Sequence, residues 1–240
     1  HKAMREHNAD DGLVVVMEVK TGEVKAISNL SSDGHGNFYE KFNFAYGQAF
    51  EPGSTFKLVT MIALLEDTNI ELSDSINVGN GEYTFYNKTV RDHEEEGLGT
   101  VTIQEAFEHS SNVAMAKLAD KQFGLKPDKF LDHIDRLKLS QPLGLQLTGE
   151  PEPKIRRPGQ KGWSGISLPW MAYGYGLEIT PLHTLTLYNA VANEGKMIKP
   201  VFVRSIKQAD SEEETFETEV INSKICSGKT LDKLKLLLEG

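Results

Sequence analysis

Ser54 and Lys57 stand three residues apart at the head of the most apolar stretch of the chain, Leu58-Val59-Thr60-Met61-Ile62-Ala63-Leu64-Leu65. On a helix, a hydroxyl and an amine at that spacing share one face, with Cβ atoms about 5–6 Å apart. A serine hydroxyl is a weak nucleophile until a base takes its proton. A lysine can be that base only when desolvation and the positive end of a helix lower its pKa. A buried helix start supplies both conditions, and its free backbone N–H groups face any oxyanion forming beside Ser54. The spacing itself is common in a chain with this many serines and lysines, so context has to carry the inference. A lysine in the first turn of an otherwise apolar helix is awkward to bury unless it is used.

A second candidate group is Ser110-Ser111-Asn112, which leads into another helical run. Ser-x-Asn at a helix start can set a hydroxyl beside a carboxamide, the first to relay a proton and the second to hold a substrate amide. It reads equally as an ordinary N-cap, and Ser75-Ile76-Asn77 fits the same letters in a strand-like segment. The residues alone leave both readings open. The seven histidines show no paired metal spacing, and Cys226 is the only cysteine, so neither an internal disulfide nor a zinc site is expected.

The elements that must position these groups can be read in order. Leu13 to Val19 and Val24 to Ser28 flank a Lys20-Thr21-Gly22-Glu23 turn and predict a hairpin. Residues Ser31 to Phe50 read as a loop, and Pro52-Gly53 breaks it before the buried helix. Short strands and turns follow from Glu71 to Gly99, with Asp92-His93-Glu94-Glu95-Glu96 as a solvated loop. Thr102 with Glu105 predicts a capping box for a helix reaching His109. Further helices are expected over Asn112 to Phe123, Pro127 to Leu137, Pro181 to just before Gly195, and Leu231 to Leu238. Gln141 to Gly165 reads as loop or short hairpin, and Met197 to Ile206 and Thr215 to Ile221 as strands.

With 240 residues, 39% hydrophobic and 25% charged, the chain has the composition of one large globular domain or two small ones. A net charge of −9 and a pI near 5.3 exclude a basic nucleic-acid surface. No apolar run is long enough to span a membrane, and no signal peptide is visible. The chain opens on His1 rather than Met, and is read as a piece of something longer.

Glu51-Pro52-Gly53-Ser54-Thr55-Phe56-Lys57, followed by Ser110-Ser111-Asn112, resembles the penicillin-binding protein and serine β-lactamase superfamily. The hairpin Val14 to Leu30, Asp92, the stretch Leu98 to Ala119 and the segment Gly174-Tyr175-Gly176 to Thr180-Pro181-Leu182 are similar to the transpeptidase domain of class B penicillin-binding proteins, particularly the cell-division type. The resemblance implies an α+β fold in which a helical subdomain packs on an antiparallel sheet, with residues 1–240 as one domain. It implies a D,D-transpeptidase that cross-links peptidoglycan stem peptides, with Ser54 as nucleophile and half of the oxyanion hole, Lys57 as base, Ser110 as proton relay and Asn112 as substrate clamp. β-Lactams would acylate Ser54, and no cofactor or metal is implied.

One family motif does not fit. Lys-Thr-Gly belongs on a strand lining the cleft, but Lys20-Thr21-Gly22 lies in the first hairpin turn and Gly228-Lys229-Thr230 has the wrong order. The motif would follow the last helix, where this sequence stops at Gly240, so the sheet is expected to be incomplete in this fragment and acylation impaired. The outer edge of the Val14 to Val19 strand would then pair with another copy or leave the hairpin poorly ordered. The resemblance also implies division partners and a place on the outer side of the cytoplasmic membrane, reached through an N-terminal anchor. The alternatives are a serine β-lactamase, for which no Glu-x-x-x-Asn loop follows Asn112, and a penicillin-sensing or silent scaffold domain.

Overall fold

The computed structural model describes residues 1–94, 96–208 and 213–239. After a short helix α1 (Lys2–Glu6), the expected hairpin forms from β1 (Asp11–Met17) and β2 (Val24–Ser32), paired antiparallel from Asp11↔Ser31 to Met17↔Val24. The segment expected to be loop is partly ordered into elements. β3 (Phe38–Tyr39) adds to β2, and α2 (Phe44–Gly47) is capped by the Asn43 side chain. The sheet order β1-β2-β3 leaves β1 at an edge, with Val14 and Val16 64% and 51% exposed.

The apolar run becomes α3 (Lys57–Asp67), in which every residue from Lys57 to Leu65 is buried. It is entered through a 3₁₀ turn, Gly53–Phe56, so Ser54 sits in the tighter turn and the α-helix proper begins at Lys57. In 3₁₀ geometry residues three apart eclipse one another, which brings Ser54 and Lys57 closer to register than an α-turn would.

Next come β4 (Ser75–Gly79), the hairpin β5 (Glu82–Phe85) and β6 (Lys88–Arg91), and β7 (Gly99–Thr102), which pairs with β4. The capping box of Thr102 and Glu105 opens α4 (Ile103–Glu108) as the sequence predicts. α5 (Asn112–Phe123) turns Val113, Ala114, Met115, Ala116, Ala119 and Phe123 inward, and α6 (Asp128–Arg136) follows. Both pack on α3.

The second half departs further from expectation. The Gly- and Pro-rich region forms no local hairpin: its strand β8 (Lys154–Ile155) pairs with β9 (Leu177–Glu178) across α7 (Ser167–Met171). α7 tolerates Pro169 because the first turn needs no N–H there. α8 (Pro181–Ala192) has Thr180 as N-cap and Pro181 at its first position. The single strand expected over 197–206 is two, β10 (Met197–Ile198) and β11 (Ser205–Ile206), since Pro200 between them cannot donate to a ladder. Their partners divide the other expected strand likewise, β11 pairing with β12 (Glu214–Thr215) and β10 with β13 (Val220–Asn222). α9 (Gly228–Glu239) then packs on α3 from the far side in sequence.

The segment between α7 and α8 fixes the turn that carries Ser54. Phe50 and Ile179 exchange backbone hydrogen bonds of 2.9 and 3.0 Å, and the Gly53 N–H donates to the Gly174 carbonyl at 3.0 Å. The Gly176 N–H donates to the Glu51 carboxylate at 2.8 Å, and the Tyr188 hydroxyl to the Thr55 carbonyl at 3.1 Å. Gly174 must be glycine twice over. Its φ is +91°, and a Cβ there would lie 1.9 Å from the Gly53 carbonyl oxygen.

Candidate active site

The Lys57 amine reaches out of the apolar core toward Ser54 and Ser110. It is 1% exposed and donates to Ser54 Oγ at 3.1 Å, to Ser110 Oγ at 2.8 Å, and to the Ser110 carbonyl oxygen. An ammonium has three donors and no acceptor, so these three oxygens satisfy it completely. Ser54 and Ser110 themselves are exposed. Two hydroxyls open to solvent are thus joined through one buried amine. Burial pulls the Lys57 pKa down to about 8, while the negative charge of Asp92 pulls it up. A tenth of the amine is then neutral at about one unit below that value, enough to act as a base near neutral pH.

Ser110-Ser111-Asn112 divides its work among its three residues. Ser111 is the N-cap of α5, its Oγ accepting from the Ala114 N–H at 3.0 Å. Ser110 stands outside the helix with φ 55°, a left-handed conformation that costs a non-glycine residue about 1–2 kcal/mol. That conformation is what turns both its carbonyl and its hydroxyl onto Lys57. Ser111 is therefore the N-cap, while the adjacent Ser110 lies outside the helix with its hydroxyl on the Lys57 amine. Asn112, the first residue of α5, donates from Nδ2 to the Arg91 carbonyl at 2.8 Å. Its carboxamide oxygen has no hydrogen bond among the described residues.

Asp92 corrects the expectation of a solvated acidic loop. Its carboxylate accepts from the Ser111 hydroxyl at 2.8 Å and from the Val113 N–H at 2.9 Å, so it holds the start of α5 while its charge faces Lys57. His93, Glu94 and Glu96 are exposed as expected, Glu94 meeting His109 at 2.9 Å, and Glu95 lies outside the described residues. The residues alone group Asp92 with the acidic run that follows it, of which His93, Glu94 and Glu96 are exposed, and only the family resemblance sets Asp92 apart. The one local signal was its place at the end of an alternating strand, directly after Arg91.

No group of three or more His, Cys, Asp or Glu side chains among the described residues could hold a metal ion. The lone Cys226 is buried, and burial raises its thiol to about 12, which makes it inert as a nucleophile.

Comparison with known proteins places this geometry. The family described as the penicillin binding protein transpeptidase domain matches residues 12–240. The chain is 29% identical over 212 residues to a probable peptidoglycan D,D-transpeptidase, PbpC, of Pseudomonas aeruginosa, covering 86% of this chain and 36% of that protein. It is 32% identical over 203 residues to penicillin-binding protein PbpB of Mycolicibacterium smegmatis, covering 80% of this chain and 30% of that one. The chain thus spans about a third of the length of these relatives. The apo TP domain of Burkholderia pseudomallei penicillin-binding protein 3 superposes with a TM-score of 0.77 at 24% identity, over 99% of this chain and 64% of that one, and shows the same α+β fold.

Asp92 gives the site its test. Asp92→Asn keeps the shape but removes the charge that raises the Lys57 pKa, so the pH at which acylation of Ser54 is half-maximal should fall. Asp92→Ala removes both acceptors and should slow acylation about 10–100-fold through misplacement of Ser110. Rate–pH profiles of β-lactam acylation in the complete protein measure both, and profiles superimposable on wild type for the two variants would remove Asp92 from this role.

Proposed function

The chain belongs to the penicillin-binding protein transpeptidase family, and on that premise we propose that residues 1–240 form the catalytic module of a class B D,D-transpeptidase of the cell-division type. The observation that carries this reading is the buried Lys57 amine bonded to both the Ser54 and Ser110 hydroxyls. In its neutral form the amine keeps two N–H donors for Ser110 and offers its lone pair to the Ser54 proton. Ser54 Oγ attacks the carbonyl carbon between two terminal D-alanines of a stem peptide, and its proton passes to Lys57. As the C–N bond breaks, Ser110 hands its proton to the departing nitrogen and takes one from the Lys57 ammonium, which frees D-alanine, returns Lys57 to neutral and leaves an ester on Ser54. The amine of a second stem peptide then attacks the ester, forming the cross-link and restoring the Ser54 hydroxyl. The Ser54 N–H supplies one oxyanion donor, and the free carboxamide oxygen of Asn112 accepts from the donor-peptide backbone.

β-Lactams take the same path, acylating Ser54 with a ring amide whose nitrogen stays tethered. A lactamase would need a carboxylate to activate the deacylating water. Glu150, in the Pro-rich turn after Asn112, is instead occupied with the backbone N–H groups of Leu143, Gly144 and Leu145 at 2.5, 3.0 and 3.3 Å. This favours the transpeptidase over the lactamase. The module would work on the outer side of the cytoplasmic membrane, with division proteins as partners. No described helix is long and apolar enough to cross a membrane.

The direct test is covalent labelling by a fluorescent penicillin in the full-length protein. Ser54→Ala should abolish the label while costing at most about 1–3 kcal/mol of stability, since the hydroxyl caps no turn and its one hydrogen bond among the described residues is the one it accepts from Lys57. Labelling that persists would put the nucleophile elsewhere.

A second expectation concerns the 240-residue chain on its own. β1 presents an edge of unpaired N–H and C=O groups beside the exposed Val14 and Val16, a template for pairing with another copy. Sedimentation velocity should show concentration-dependent association that Val16→Lys suppresses. A monomer at every concentration reached would refute the pairing.

A further inference from the structure

A cavity of 170 Å³ opens beside Gly176, lined by Arg156, Ser164, Ser167, Trp170 and Met171. It adjoins the candidate active site through the segment that clamps it: Gly174 and Gly176 bond to Gly53 and Glu51 of the nucleophile turn. Its aromatic wall is continuous with that segment. The rings of Trp170 and Tyr173 lie 6.0 Å apart and those of Tyr173 and Tyr175 5.3 Å, so the series that starts in the cavity ends on the exposed residue between the two clamping glycines.

The charges around the cavity are unequal in their pairing. Lys154 meets Glu178 at 2.6 Å and Arg157 meets Asp135 at 2.6 Å. Arg156, between them, has no ion pair and no side-chain hydrogen bond among the described residues, in a chain whose net charge is −9. Its side chain is nevertheless placed. It lies against Gly162, whose Cβ position is 3.4 Å from Arg156 Nε and 3.5 Å from Cδ, ordinary packing distances. The Ser164 N–H donates to Ser167 Oγ at 2.9 Å, which fixes the loop and leaves the Ser167 hydroxyl proton free to donate into the cavity. A planar cation, a hydroxyl donor and an indole side chain line the cavity, a set suited to a carboxylate attached to an apolar or peptide stem.

We propose that this cavity is a subsite for a carboxylate of the peptide that acylates Ser54, with Arg156 as the specificity-determining residue. The proposal rests on the transpeptidase reading above. Arg156 is remote from the reacting bond, so it contributes binding felt equally in ground and transition states, which moves KM and leaves kcat unchanged.

The test uses the full-length protein and two peptides ending in D-alanyl-D-alanine, identical but for an N-terminal succinyl group, which carries a carboxylate, or an acetyl group, which does not. Wild type should favour the succinyl peptide. Arg156→Gln should raise KM for it about three- to tenfold, as expected for a partly exposed charge pair, with kcat, the acetyl peptide and penicillin acylation unchanged. Arg156→Lys should recover part of the preference, and added salt should erode it. Equal effects of Arg156→Gln on both peptides, or none on either, would overturn the subsite while leaving the transpeptidase reading intact. Absence of Ser54 acylation by penicillin and by both peptides in wild type would instead overturn that reading, and this proposal with it.

Discussion

A primary amine buried at the start of an apolar helix sets the terms for the rest of the molecule. Every residue from Lys57 to Leu65 is inside, so the helix cannot turn its lysine to water without giving up its core. The amine must find oxygen acceptors within its own reach, and an ionised one would cost several kcal/mol without them. Three oxygens meet the need, and none is on the same α-helix. Ser54 comes from the 3₁₀ turn before it, and both Ser110 oxygens come from the junction of α4 and α5. The need for acceptors is thereby a need for tertiary structure, which links the site's chemistry to the stability of the helical subdomain.

Each of those oxygens is held by a further constraint. Ser110 sits in a left-handed conformation because its neighbours over-determine it: its own N–H bonds to Phe107, Ser111 caps α5, and Asp92 ties Ser111 and Val113 together. Strain of about 1–3 kcal/mol at such a residue survives only in that kind of setting. Ser54 is held from the opposite side by the glycine segment after α7, whose close approach to Gly53 leaves no room for a side chain at Gly174. The same segment carries the aromatic series toward the Arg156 cavity. One stretch therefore holds the turn that carries Ser54 and borders the cavity beside Arg156.

Much of this was legible in the chain because its signals are local. The apolar run after Pro52-Gly53, the Thr102 and Glu105 box, and Thr180 with Pro181 each specify a helix start by short-range chemistry, and the structure has all three. What was not legible depends on contacts distant in sequence. Whether Ser110 or Ser111 is the cap turns on the left-handed φ of Ser110, which only the packing around Asp92 and Lys57 enforces. Asp92 looked like the first of several solvated acids, since its partners are 19 and 21 residues away. β8 was invisible for the same reason, as its partner β9 lies beyond α7. The strand expected over 197–206 failed on one residue, Pro200, whose missing N–H was outweighed in the reading by the apolar letters around it.

The central claim is that burial makes Lys57 a base near neutral pH, and a direct titration of its side chain tests it most closely. The carbon and nitrogen resonances of lysine side chains can be followed by NMR across pH, with Lys57 identified by the signal that Lys57→Arg removes. A midpoint well below the ordinary lysine value, at about 8, is the result that burial of the amine predicts. A midpoint near the ordinary lysine value of about 10.4 would mean that the amine stays charged at neutral pH, and would contradict its role as the group that takes the Ser54 proton.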